Sequence, residues 1–233
     1  MNKLKKSFMI MILLSFITSC TNSITDLSLF EKIDATNLSN LKLKRIDNQV
    51  GSWKYNDEKE DIELEKNNKT CKIFYFNAKE EMNQIKFNDL KTDISLGCKL
   101  IEYDNKVSFF RLNFIDKETF IALKFLKQKL GSNFKSFKKS LSVNVYSNQV
   151  NILKKEQNNE LDFMDDDIEG KVAMFNDFYY WDKKDFIVTY KIGLTKDGFS
   201  NEIVFATKKV LKDKIVFGYH NLENDQYLKN IKL

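Results

Sequence analysis

Three cysteines and one histidine are the only thiol or imidazole side chains in 233 residues. Cys71 and Cys98 are an even pair, which permits a disulfide in an exported protein. Closing that loop would be worth roughly 3.5 kcal/mol on the chain-entropy estimate. Structural zinc needs four ligands, and two distant cysteines with the lone His220 do not supply them. His220 also lacks any neighbouring triad pattern, and no HExxH, GxSxG, Gly-rich phosphate loop or paired CxxC occurs. The densest acidic run, Asp165-Asp166-Asp167-Ile168-Glu169-Gly170, partly copies a calcium loop. Asp165, Asp167 and Glu169 stand at loop positions 1, 3 and 5 with Gly170 at 6. Position 12 is Asn176 where such a loop needs a bidentate Glu, and no helical pattern flanks it. The run therefore reads as a solvated connection, with calcium as its only alternative. No cofactor is expected.

Cys20 has a different context. Lys3, Lys5 and Lys6 precede the apolar run Phe8–Ile17, and Ile17-Thr18-Ser19-Cys20 closes the segment. Ten apolar residues are half of the roughly 20 needed to span a bilayer, but they suit a secretory leader. Residues 1–20 resemble the lipobox signal of bacterial lipoproteins. That resemblance implies cleavage before Cys20, a diacylglycerol on its thiol and a mature chain held on the cell envelope. Two or three acyl chains give stable anchoring where one would not. Thr21 follows the lipidated residue, where retained enteric lipoproteins carry Asp, so the same resemblance implies the outer membrane in a host that has two. Residues 20–40, rich in Ser, Thr, Asn and Asp, read as a flexible tether, and 41–233 as a single globular domain.

Losing the leader changes the charge. The formal net charge of +5 includes three leader lysines, so the mature chain carries 35 basic against 33 acidic side chains. Of all the basic residues only Arg45 and Arg111 are arginine. Arginine is the usual reader of phosphates and base edges, so nucleic acid is not expected as a partner. With no proline and 42% hydrophobic residues, the chain is neither a polyproline segment nor disordered.

Something must position these groups, and period-two alternation dominates the chain. Leu141, Val143 and Val145 alternate with polar neighbours, as do Phe110, Leu112 and Phe114, and Phe186, Val188, Tyr190 and Ile192. Further strands are expected over 60–66, 70–77, 98–104, 149–155, 171–181, 201–209 and 214–220. Lys196-Asp197-Gly198-Phe199 reads as a hairpin turn, which makes 170–220 a four-strand meander. One amphipathic helix is expected over 116–130, capped by Asp116, striped by Ala122, Leu123, Leu126 and Leu130, and ended by Gly131. The fold class is α+β, a mainly antiparallel sheet with one packed helix.

The aromatic runs Phe74-Tyr75-Phe76 and Phe178-Tyr179-Tyr180-Trp181 suit sheet core, with Tyr180 and Trp181 the best candidates for an exposed binding surface. Together these features point to a lipid-anchored, non-enzymatic envelope protein that binds another macromolecule, a protein partner such as the toxin met by an immunity-type inhibitor. The alternative is an envelope hydrolase that uses Asp and Glu carboxylates alone.

Overall fold

The computed structural model describes residues 24–33, 35–168, 170–196, 198–231 and 233. Cys20 and the segment read as a leader lie outside the described residues. The strands are β1 (Thr25–Asp26), β2 (Arg45–Asn56), β3 (Asp61–Phe76), β4 (Ile85–Lys86), β5 (Cys98–Tyr103), β6 (Lys106–Leu112), β7 (Lys135–Ser142), β8 (Asp162–Asp166), β9 (Gly170–Asp182), β10 (Phe186–Leu194) and β11 (Phe199–Thr207). The α-helices are α1 (Lys79–Met82), α2 (Thr119–Leu130), α3 (Ser147–Glu156) and α4 (Lys208–Lys212). The protein is mainly-β α+β, as its alternation predicts.

One large sheet runs in the order β2-β3-β5-β6-β11-β10-β9-β7, with every neighbouring pair antiparallel. β8 pairs with the first half of β9, and β10 with its second half. The first half of the chain thus builds inward from one edge and reaches the centre at β6. It then crosses to the far edge and returns to the centre at β11. That crossing covers four strand spacings, about 19 Å. The 12 residues of α2 rise about 18 Å, so the helix matches the gap it bridges.

Alternation sends successive side chains to opposite faces. Val188, Tyr190 and Ile192 of β10 meet the layer that holds α2 and α3, while Ile187 meets a second layer built from α4, Ile215, Val216 and Leu228. The sheet is therefore covered on both sides. α2 buries Ala122, Leu123, Leu126 and Leu130 and ends at Gly131, whose φ of 86° and N–H to the Lys127 carbonyl make the stop.

Several expectations need correction. The segment read as a tether belongs to the fold from Ile24 onward: Leu27, Phe30, Ile33 and Leu38 are all buried in the main core. Short 3₁₀ turns space these few apolar residues, so no strand or helix period marks them. Residues 149–155 form α3, with Val150 and Leu153 inward at three-residue spacing and Ile152 outward. Residues 214–220 are turns, with the adjacent Ile215 and Val216 both buried, so the meander has three strands. β7 stops at Ser142 and leaves Val145 72% exposed. Asp116 does not cap α2; its carboxylate accepts the Phe199 N–H at 2.8 Å. The 60–66 and 70–77 candidates are one strand, β3.

Candidate binding groove

The helical layer stops short of the β2 edge. On that face the side chains of β2, β3 and β5 form rows, Ile46 beside Phe74 and Leu100, Asn48 beside Lys72 and Glu102, and Val50 beside Thr70. Leu38 covers the first row by burying itself on the core. Beyond it the sheet floor opens into two contiguous cavities of 560 and 640 Å³, which share Asn48, Lys72, Glu102 and Asn105. Leu38 and Leu41 wall one end, and the β5–β6 turn at Asp104 and Asn105 walls the side. Ile46 and Val50 are 44% and 49% exposed, which is unusual for aliphatic side chains on the face that carries the core.

The larger cavity is bordered as well by Gln49, Lys69 and Tyr103, whose side chains make their contacts on the opposite face. Gln49 donates to the Ile215 carbonyl at 3.0 Å, and Tyr103 donates its hydroxyl to Asp213 at 2.8 Å. Lys69 reaches Asp213 at 3.1 Å. Burial, with Asp213 beside it, pushes the Tyr103 phenol up to about 12. Past the groove, β2 and β3 continue as a two-stranded ribbon that bends at a bulge between Val50 and Ser52. Gly51 makes the bend at φ 125°, and a Cβ there would lie 2.3 Å from the Glu65 carbonyl oxygen. Only glycine fits that approach.

The groove is lined by amide, aliphatic and paired charged groups. Lys72 lies 4.0 Å from Glu102, and Lys209 lies 2.6 Å from Asp104. The Lys209 hydrogen bond and charge hold the Asp104 carboxyl below its ordinary value. Asp177 is shifted the other way, by burial, but it is 7% exposed and lies within the sheet outside both cavities.

Of the candidate residues, Cys71 borders the larger cavity and the others fall elsewhere. Cys71 and Cys98 are free thiols. Cys98 pairs with Phe76, five positions from Cys71 on β3, so the cysteines face opposite sides of the sheet. They are also roughly 16 Å apart along the strand. A disulfide, which needs Cα atoms within about 7 Å, is ruled out. Burial pushes the Cys71 thiol up to about 11 and raises Cys98 as well. We expect neither thiol to alkylate readily in the folded protein and both to alkylate on denaturation without reductant; a thiol that needs reduction first would contradict the register.

The described ends of the acidic run lie on the paired strands β8 and β9, with Asp165 opposite Lys171 and Asp166 opposite Gly170. Strands, not helices, flank it. Glu169 lies outside the described residues, and among the described residues no group of three His, Cys, Asp or Glu could hold a metal ion. Tyr180 and Trp181 are buried, at 2% and 0% exposure, so they form no surface. Trp181 donates its indole N–H to the Gly131 carbonyl at 3.0 Å, locking β9 to the end of α2. His220 lines a separate 500 Å³ cavity beside Tyr55 and Tyr219.

A polar cluster that no sequence motif signals lies under α2. The Glu160 carboxylate accepts from Tyr179 at 2.6 Å, from Asn176 at 3.0 Å and from Lys127. Gln157 donates to the Tyr179 hydroxyl at 2.9 Å. Lys127 also stands over the Phe134 and Tyr179 rings, at 5.1 and 4.7 Å from their centres. No family model, curated protein or solved structure matches this chain.

Proposed function

We propose that this chain is a lipid-anchored protein of the bacterial cell envelope, placed in the outer membrane where the host has two. It binds a protein partner and performs no covalent chemistry. The observation that carries the binding reading is the open floor over β2, β3 and β5, where Ile46 and Val50 stand exposed beside the Asn48–Lys72–Glu102 row. The chemistry favours an extended polypeptide. Two aliphatic side chains alternate with amide and charged groups at strand spacing, and β2 is the outer strand of the sheet. An added strand would find backbone donors and acceptors along β2 up to Gly51, before the Trp53 N–H turns to the Lys214 carbonyl. A carboxylate hydrolase is less well supported, because its general acid needs a raised pKa in a cleft. Asp104 in the groove is shifted downward instead. The leader and Cys20 support the anchor.

A photo-crosslinking residue at Asn48 or Val50 should capture one envelope protein, and the same residue at Glu58 on the ribbon should not. Val50→Asp should weaken that captured complex about tenfold or more, as loss of an apolar interface anchor does. Equal capture from Glu58, or unchanged affinity in Val50→Asp, would remove the groove from the reading. Cys20→Ser should abolish fatty-acid incorporation, and a wild-type chain that takes up no fatty acid would remove the anchor.

A further inference from the structure

Between Thr119 and Lys155 the chain carries eight lysines and no acid. This stretch is α2, β7 and all of α3 except its last residue, Glu156, and both helices lie in the layer that covers the main core. α2 turns Ile121, Lys124 and Lys129 outward, and α3 turns Ile152, Lys154 and Lys155 outward. Part of the charge is answered locally, by Glu160 at Lys127, Asp162 at Lys138 and Glu156 at Lys155. Among the described residues, no carboxylate is paired with Lys124, Lys129 or Lys154. Aliphatic side chains stand out among these lysines, with Ile121 55%, Val145 72% and Ile152 36% exposed.

The start of the fold adds a second observation. Ile24 is four positions after Cys20, and four residues reach about 14 Å at most. The segment that follows is built into the same layer: Phe30 packs on Phe87 at 5.8 Å, and Phe87 packs on Phe125 of α2 at 5.7 Å. A lipid on Cys20 would therefore hold this side of the sheet close to the bilayer. At the far edge of the sheet, the β2–β3 ribbon carries six acids and one lysine between Asp57 and Glu65. A negatively charged surface would draw one edge and repel the other.

We propose that the outer surface of α2 and α3 lies on an anionic lipid bilayer. Lys124, Lys129 and Lys154 meet headgroup phosphates, and Ile121, Val145 and Ile152 enter the boundary between headgroups and acyl chains. Mixed lysine and aliphatic exposure is the chemistry of an interfacial contact. The close approach rests on the anchor at Cys20; the lysine surface does not.

The test uses residues 21–233, which hold every described element and no lipid, with vesicles of phosphatidylcholine alone or mixed with phosphatidylglycerol. The chain should sediment with the mixed vesicles at low salt, release as ionic strength rises, and ignore phosphatidylcholine alone. Replacing Lys124, Lys129 and Lys154 together by Gln should lower partitioning roughly a hundredfold, at about one lysine's worth of attraction for each. Lys212, Lys214 and Lys229, exposed residues of the other layer, provide a control with the same loss of charge. Their replacement by Gln should change partitioning only a few-fold. Equal losses from the two triple variants, equal binding to both vesicles, or no binding to the mixed vesicles would overturn the proposal. Fatty-acid labelling of Cys20 is read separately, so failure of the anchor and failure of this surface are distinct results.

Discussion

Phe30→Ala will lower the unfolding free energy by about 3–5 kcal/mol, the range for removing a buried phenylalanine ring. In a domain of this size that is a fall in Tm of roughly 10–15 °C. The ring is 3% exposed and sits at the meeting point of four others, with centroids 5.8 Å from Phe87, 6.2 Å from Phe110, 6.1 Å from Phe186 and 5.8 Å from Phe205. These partners come from the β4 region, β6, β10 and β11, so the loss is felt across the centre of the sheet. The backbone at Phe30 has φ 52° and ψ −118°, a conformation that costs a side-chain-bearing residue about 1–3 kcal/mol. Phe30→Gly should therefore be no worse than Phe30→Ala, although it removes more side chain. Leu29→Ala, on a neighbour 45% exposed, should change stability by less than about 0.5 kcal/mol. Chemical denaturation of the three variants checks the series. If Phe30→Ala matched wild type, the segment would be the tether its composition resembles.

That segment shows where sequence patterns lose force. Periodicity is strong where an element repeats its environment: β10 alternates between two covered faces, and α2 lays a leucine stripe on the sheet. Both are legible because each turn or pleat meets the same neighbour. Leu27, Phe30, Ile33 and Leu38 meet different partners through irregular turns, so their burial leaves only a sparse apolar pattern among polar residues. Tyr180 and Trp181 failed for a related reason. An aromatic strand beside charged turns looks half-exposed until the second layer is known, and here α2 covers one face while α4 and the chain after it cover the other. The groove had no local sign at all. Its central row joins Asn48, Lys72 and Glu102 through strand register, and its opening depends on where the segment ending near Leu41 stops covering the floor.

Glu160→Ala should cost about 2–4 kcal/mol, more than its place in the short turn after α3 suggests. The carboxylate ties together groups that cannot turn to water: Tyr179 is fully buried, Asn176 is 6% exposed and Gln157 is 4% exposed. Removing it strands a buried phenol and amide and leaves Lys127 with only the ring faces beneath it, and an abandoned hydrogen-bond partner costs more than the bond contributes on average. Partial burial of Glu160 works to raise its pKa. The hydrogen bonds from Lys127, Tyr179 and Asn176 outweigh that effect and hold it below the ordinary glutamate value. A lowered folded-state pKa gives the sign of the pH dependence. The stabilisation is fully present above the unfolded glutamate pKa and is lost as pH falls through the folded value. Glu160→Gln separates charge from shape, since its amide oxygen can still accept from Tyr179 while its charge is gone. We expect Glu160→Gln to cost about 1–2 kcal/mol at neutral pH and to approach wild-type stability in acid, where the wild-type carboxyl is itself neutral. Thermal melts of both proteins from pH 7 down through the carboxylate range would show two curves converging. Parallel curves would mean that the cluster is held by packing and neutral hydrogen bonds alone, with Lys127 drawn to the rings and not to the acid.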